Sequence, residues 1–111
     1  MNNHKSDIVI EHEIEYHSLK FNSIDKDDVK FINKFIQKYK YVKIIHELNN
    51  NIEVSYYKNN AFHNDFGPSI LYKKDNEMII NKKYYLNGVE LSYDTWKNRF
   101  RKYKLLKLKE L

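Results

Sequence analysis

The chain lacks cysteine altogether, and it has only one proline and two glycines among its 111 residues. Without cysteine it has no disulfide, no thiolate nucleophile and no cysteine-ligated zinc site, and its composition fits a reducing compartment. Gly67 and Gly88 are too few to build a phosphate-binding loop or the strained turn that presents a nucleophilic serine. We therefore expect no enzyme of these classes.

A long apolar run is also missing. Charged residues interrupt residues 1–17 every few positions, so we expect no standard secretion signal. No segment approaches the roughly 18 consecutive apolar residues of a membrane helix, so we expect no membrane span. These absences predict a cytoplasmic protein, or one of the host cytoplasm if the protein is viral.

Aromatic residues, by contrast, are abundant: they make up 15% of a chain that is 41% hydrophobic. Such a composition supports a packed core, and this length is typical of one domain. We divide the predicted domain, residues 1–111, into three parts. Residues 1–40 hold a strand and a helix, residues 41–92 a sheet of repeated hairpins, and residues 93–111 a basic helix.

Two segments have the apolar spacing of a helix. The first covers about residues 26–39 and follows Asp25, a predicted N-cap. The second covers about residues 93–108 and follows Ser92, which we also predict as a cap.

Alternation with a period of two predicts the strands. One strand covers residues 7–16, and four more begin at Tyr41. Polar turns at residues 49–51 and 75–77 lie between them, and Asn87 and Gly88 form a turn after the last. The four segments read YVKIIHEL, IEVSYYK, SILYKK and MIINKKYYL. The predicted fold class is therefore α+β, an antiparallel meander of four to five strands with one helix before it and a basic helix after it.

An internal repeat organises the second half of the chain. The segment YYKNNAFH (residues 56–63) aligns with YYLNGVEL (residues 84–91), 28 residues further on. Asn60 stands where Gly88 stands, and both residue types tolerate the left-handed backbone that a tight hairpin turn needs. A period of about 20–50 residues indicates stacked supersecondary units.

The residues Gly67 and Pro68 follow the first copy of the repeat. Asp65 and Gly67 are predicted to shape a turn, and Pro68 to open the next strand, where its missing N–H costs least. The second copy lacks this part because the chain becomes a helix after Ser92.

At these residues the sequence resembles the variant MORN-like repeats that are common in phages, giant viruses and some bacterial antitoxin-type proteins. The resemblance covers about residues 52–92, and it departs from the repeat at Asn60, where glycine is usual, and at Ser69, where alanine is common. It implies stacked β-hairpins that serve as an interaction surface, without catalysis. The matching residues are Tyr56, Tyr57, Asn59, His63, Asp65, Gly67, Pro68, Tyr84, Tyr85, Asn87 and Gly88.

The histidines give no strong sign of chemistry. A metal ion could sit among Glu11, Glu13, Glu15 and His17, but alternate side chains of a strand are about 7 Å apart, and we favour a solvated acidic face. His46 lies on an apolar face and is predicted to be a core histidine bonded to a neighbour. For His63, beside Asp65, we favour a bond to the turn backbone over a role as catalytic base. No catalytic residue, metal or cofactor is predicted.

The net charge of +5 comes from the C-terminal segment, which has seven basic residues and no acid between positions 97 and 109. Trp96, Phe100 and Tyr103 lie within about 60° of one another around this helix, so we expect its first turns to pack on the sheet and its end to leave the core. The basic side chains either are merely solvated or contact phosphates or an acidic protein surface. The candidate partner-binding residues are these basic side chains and two tyrosines expected to point outward: Lys97, Arg99, Arg101, Lys102, Lys104, Lys107, Lys109, Tyr57 and Tyr85.

The sequence thus predicts a non-enzymatic protein that binds a macromolecule. Its many Lys, Asn, Ile and Tyr residues are typical of AT-rich coding genomes, including those of phages and large viruses. We therefore favour a small phage- or virus-type inhibitor of host defence, or an antitoxin-like neutraliser, that occupies a surface on a larger protein or ribonucleoprotein. The alternatives are a nucleic-acid-binding protein that uses the C-terminal helix, and a structural virion component. The pattern leaves the oligomeric state open.

Overall fold

The computed structural model describes residues 4–22, 25–74 and 78–109. In these ranges the chain forms two helices, α1 (Lys26–Lys38) and α2 (Tyr93–Lys109). The strands are β1 (His4–Glu11), β2 (Ile14–Phe21), β3 (Tyr41–Leu48), β4 (Asn51–Lys58), β5 (Ala61–Phe62), β6 (Ile70–Lys74), β7 (Met78–Leu86) and β8 (Val89–Leu91). No helix in the described ranges is long and apolar enough to cross a membrane.

The strands form one sheet in the order β1-β2-β3-β4-β6-β7-β8, and β5 pairs with β4. Every pairing in this sheet is antiparallel except that of β2 with β3, which run parallel. Since parallel neighbours need a crossover connection, α1 joins them as a βαβ unit. The predicted α+β class is confirmed, but the prediction of four to five antiparallel strands is wrong: the described residues form eight strands, and one pairing is parallel.

The prediction of a single N-terminal strand at residues 7–16 is wrong, because the chain reverses direction at His12 and Glu13. These residues have φ values of 52° and 67°, as the central positions of a type I′ hairpin turn require. β1 and β2 therefore pair with Glu11 opposite Ile14. Across a two-residue turn, apolar and polar residues still alternate along the sequence. The side chains after the turn nevertheless lie on the other face of the sheet, so the periodicity did not reveal the turn.

The asparagine turns of the hairpins are confirmed. They lie at residues 49–50, 59–60 and 87–88, and all six residues have positive φ. Asn60, at 66°, matches Gly88, at 82°, in the second copy of the repeat. The turn predicted at residues 75–77 lies outside the described residues.

The face of the sheet under α1 carries a hydrophobic core. The helix begins with a capping box, in which Asp25 Oδ1 accepts the N–H of Asp28 and Asp28 Oδ2 accepts the N–H of Asp25. This confirms the predicted N-cap, and the helix ends one residue before the predicted boundary at residue 39. The buried side chains of this core are Leu19, Phe21, Ile36, Val42 and Ile44.

α2 lies on the opposite face, at the end of the sheet formed by β7 and β8. The strand register places Tyr84 on the face of Tyr16, away from α1, and the Tyr84 ring lies 4.9 Å from that of Trp96. The sheet curls so far that the β1–β2 turn reaches this side, where His12 stacks on Phe66 at 4.4 Å. Both helices therefore pack on one curled sheet, from opposite faces.

We expect Gly88→Ala to lower the free energy of unfolding by roughly 1 kcal/mol or more, because alanine is strained at positive φ. The added Cβ would also lie 3.4 Å from Ala61 Cβ. Gly67→Ala is the matched control: its Cβ would make an ordinary 3.7 Å contact with Asn64 Nδ2, and its φ is not left-handed. The control should stay within ~0.5 kcal/mol of the original chain in urea denaturation. Equal losses in the two variants would contradict the described Asn-Gly turn.

Candidate functional site: the repeat loop and the basic helix

The two copies of the repeat form a first hairpin, β4 with β5, and a second hairpin, β7 with β8. The loop between β5 and β6, residues 63–69, contacts both of these hairpins and α2, and we call it the repeat loop. Its own shape is fixed by Asn64, whose Oδ1 accepts the N–H of Phe66 at 2.9 Å. The Nδ2 of the same side chain donates to the carbonyl of Pro68 at 3.1 Å. These bonds replace regular secondary structure in a segment where Asn64 is almost fully buried.

Ser69 joins the end of the repeat loop to the second hairpin. Its Oγ accepts the N–H of Tyr85 at 3.1 Å and donates to the carbonyl of the same residue at 3.0 Å. The side chain has no exposed surface, so water does not compete for either bond. Alanine at this position would leave both backbone groups of Tyr85 without this partner.

His63 clamps the turn of the second hairpin. Its Nδ1 lies 2.9 Å from the backbone N of Asn87, which only donates, so Nδ1 accepts and carries no proton. The proton is therefore on Nε2, which donates to Asp65 Oδ2 at 2.9 Å. The prediction that His63 bonds a turn backbone is confirmed, and the turn is the one in the other copy of the repeat.

Backbone and ring contacts complete the stack of the two hairpins. The N–H of Gly88 donates to the carbonyl of Phe62 at 2.9 Å, and the N–H of Asn64 donates to the carbonyl of Tyr85 at 3.2 Å. The rings of Phe62 and Tyr85 lie 5.1 Å apart. The two hairpins are thus stacked, as the repeat predicted, and hydrogen bonds join one copy of the repeat to the other.

The first turns of α2 are anchored to the repeat loop by Trp96. Its Nε1 donates to the carbonyl of Asn64 at 3.1 Å, and its ring, which is buried, stacks on Phe100 at 5.1 Å. Phe66 then contacts the edge of Tyr103 at 5.7 Å. The predicted cap is confirmed, since Ser92 Oγ accepts the N–H of Thr95. The predicted docking of the first turns of α2 is confirmed as well.

Beyond Phe100, Tyr103 still contacts Phe66 of the repeat loop, and the helix then extends away from the sheet. We call residues 101–109 the α2 tail. Leu105, Leu106 and Leu108 are 59%, 61% and 64% exposed. At about 100° per residue, Leu105 points directly away from Trp96 and Leu108 points about 120° away. The helix thus has two apolar stripes on different sides: one docks on the sheet, and the other faces solvent.

The predicted basic residues line this exposed helix. Arg99, Arg101, Lys102 and Lys104 are exposed, whereas Lys97 is half-buried. The Nζ of Lys97 lies 5.7 Å from the centre of the Tyr93 ring, and that of Lys104 lies 4.6 Å from the centre of the Phe100 ring. Lys107 and Lys109 belong to the helix, but their side chains lie outside the described residues.

The two tyrosines expected to point outward are both partly covered. Tyr57 packs against the core under α1 and stacks on Phe62 at 4.8 Å, and burial raises its pKa to about 12. Tyr85 is half-buried beside the same phenylalanine, and its hydroxyl donates to Glu90 at 3.4 Å. The structure therefore does not join these rings to the α2 tail in one surface.

Glu11 and His17 are engaged in separate contacts, whereas Glu13 and Glu15 are exposed. Glu11 accepts bonds from Lys43 Nζ at 2.6 Å and from the Tyr56 hydroxyl at 2.9 Å. His17 stacks on Tyr39 at 3.6 Å. His46 Nε2 is buried and has no hydrogen-bond partner in the described part of the chain, which corrects the prediction of a bonded neighbour.

An aromatic groove at the start of α2 was not predicted from the sequence. The groove is open, has a volume of about 480 Å³, and has Tyr93, 50% exposed, on one side. Its aromatic residues belong to different elements, β7 and α2, which the sequence did not place together. The groove is lined by Gly67, Pro68, Lys82, Tyr84, Tyr93 and Trp96.

Comparison of the chain with protein-family models, with curated proteins and with solved structures found no match in any of the three. The resemblance to MORN-like repeats stays a prediction.

We expect Asp65→Asn to flatten the loss of stability at acid pH. The bond from His63 lowers the pKa of the Asp65 carboxyl, although partial burial acts in the opposite direction. A carboxyl with a lower pKa in the folded state adds stability above its unfolded pKa, near 3.9, and this stability is lost as the pH falls through the folded pKa. The free energy of unfolding, measured by urea titration at each pH, should fall less steeply below about pH 4 in the variant.

Glu13→Gln is the control for Asp65→Asn, because it removes an exposed carboxyl in the β1–β2 turn. Its acid profile should follow that of the original chain. If Asp65→Asn and the original chain had the same acid profile, the bond between His63 and Asp65 would not be present in solution.

Proposed function

We propose that the chain is a non-enzymatic protein that binds a larger macromolecule, with the α2 tail as the main contact. The observation that carries this proposal is the exposure of three leucines and three basic residues on a helix whose first half is firmly anchored. A helix that exposes apolar side chains beside charges is typical of helix-in-groove recognition. The anchored half holds the tail in one orientation and so lowers the entropy cost of binding.

The chemistry of the tail favours a protein surface as the partner. Leucine side chains gain nothing against a phosphate backbone, whereas Leu105 and Leu108 would fill an apolar groove. Arg101, Lys102 and Lys104 would lie against carboxylates around such a groove. The partner is therefore an acidic, partly apolar surface of a larger protein or ribonucleoprotein.

Occupying such a surface is the action of an inhibitor or neutraliser. The resemblance to repeats of phages, giant viruses and antitoxin-type proteins supports this form of the function. The use of His63 supports a role without catalysis, because one ring nitrogen holds Asn87 and the other holds Asp65. The polar groups of the repeat loop thus hold the two hairpins together.

A second candidate function is the binding of single-stranded nucleic acid, and the aromatic groove favours it. The Tyr93 ring is half exposed there and lies beside Lys97, and Lys82 lines the same groove. Aromatic rings with nearby cations bind bases by stacking and phosphates by charge. In this case Tyr93 and Lys82 make the main contacts, and the leucines of the tail make none.

We expect the triple variant R101E/K102E/K104E to lose most of its partner binding and almost none of its stability. All three side chains are exposed, so each contributes little to folding, whereas reversal replaces attraction by repulsion in the complex. Binding is measured by the partners that the immobilised protein retains from a host lysate, and stability is measured by thermal unfolding. The matched control is K26E/K30E/K34E on α1, which changes the net charge equally at exposed positions.

Nuclease and salt separate the two candidate functions. A protein partner should survive nuclease treatment, whereas nucleic-acid binding should fall by orders of magnitude between about 50 and 200 mM salt. Retention of the same partners by R101E/K102E/K104E and by the original chain would contradict a role of the α2 tail. Partners that disappear with nuclease would support the second candidate instead.

A further inference from the structure

A second exposed apolar surface lies at the other edge of the sheet, between β1 and α1, and we call it the edge groove. Ile8 and Ile10 of β1 are 51% and 73% exposed beside it. The groove has a volume of about 430 Å³. It is lined by Ser6, Asp7, Ile8, His17, Phe35 and Tyr39.

The edge groove has room for one more helix. α1 packs over β2 and β3, and β1 is the next strand out in the sheet. Strands are spaced about 4.8 Å apart, so β1 lies about 5 to 10 Å to the side of α1. The axes of two packed helices are about 8–10 Å apart. A helix laid over β1 would therefore contact α1 on one side and cover Ile8 and Ile10 below.

The α2 tail has the side chains that such a helix needs, but it does not reach the edge groove of its own chain. Tyr103 contacts Phe66, and α2 continues without a break to residue 109. Leu105 and Leu108 consequently face away from the sheet that holds the helix. The tail is available to another molecule.

The charges of the tail and of the edge groove are complementary. Asp7 lines the groove, Glu15 is paired with Ile10 across the hairpin, and Glu13 lies in the adjoining turn. Lys38, over the Tyr39 ring, offsets part of this negative charge. The α2 tail brings Arg101, Lys102 and Lys104, all exposed.

We propose that the α2 tail docks in the edge groove of a second copy of the chain, with Leu105 and Leu108 against Ile8 and Ile10. The β1–β2 turn connects the two surfaces, because Phe66 touches both Tyr103 of the tail and His12 of that turn. Each copy then offers one tail and one groove, and the two copies can pair twice across a two-fold axis, which closes the assembly as a dimer.

This inference goes beyond the proposed function, because it concerns the purified chain without any partner. It adds one consequence for that function. The same tail serves both contacts, so the dimer and the complex with a partner exclude each other.

Sedimentation equilibrium of the purified full chain tests the proposal. The original chain should associate to twice its mass of 13.6 kDa, and salt should weaken the association. The donor variant L105D/L108D and the acceptor variant I8K/I10K should each weaken it by at least about tenfold, because a charge replaces an apolar contact. V89K is the control: Val89 is 60% exposed on β8, away from both surfaces, and this variant should dimerise normally.

Mixing the two variants distinguishes tail-in-groove docking from any other dimer. The donor variant retains its groove and the acceptor variant retains its tail, so an equimolar mixture should associate although neither variant does so alone. A mixture that stays monomeric would overturn the proposal, since an intact tail and an intact groove would then meet without binding. A tail-to-tail contact would instead leave the acceptor variant dimeric on its own, and a groove-to-groove contact would leave the donor variant dimeric. A monomeric original chain, or dimers of the donor variant, would overturn it as well. Thermal unfolding of each variant checks that these exposed substitutions leave the fold intact.

Discussion

The hydrogen bond from the Asn87 N–H to His63 Nδ1 is the contact on which the rest of the structure depends. The central N–H groups of a two-residue turn have no partner within their own hairpin, and here the preceding copy of the repeat supplies one. Ser69 holds the strand that leads into this turn, and the Gly88 N–H reaches the carbonyl of Phe62. Since His63 is buried, a shift of the second hairpin would leave its Nδ1 without a partner, and leaving a buried acceptor unpaired costs the desolvation of that group.

The same loop determines how α2 is presented. The carbonyl of Asn64 accepts the indole N–H of Trp96, so the helix is fixed to the segment that joins the two hairpins. Once its first stripe is docked, the second stripe, with Leu105 and Leu108, is turned away from the sheet. A folded platform that displays a helix in this way fits a protein that acts by occupying surfaces. The proposed partner and the proposed second copy would both use this displayed stripe.

Local chemistry made part of this fold predictable from the sequence. The asparagine turns, the caps at Asp25 and Ser92 and the two helices depend on residues close in the chain, and they appear where the patterns predicted. The β1–β2 turn was missed because His12 and Glu13 are not typical turn residues. This error hid the edge groove, which exists only because β1 folds back on β2. The parallel pairing of β2 with β3 and the partner of His63, 24 residues away, depend on long-range contacts that no local pattern contains.

Amide hydrogen exchange at the turn of the second hairpin tests the central claim most directly. The N–H groups of Asn87 and Gly88 lie in an exposed two-residue turn but donate to His63 and Phe62. Both N–H groups should exchange slowly, as those of the strands do. The turn at residues 49–50, which has no such contact in the described part of the chain, should exchange rapidly. Equally rapid exchange in the two turns would contradict the account, because the hairpins would then not be clamped together in solution.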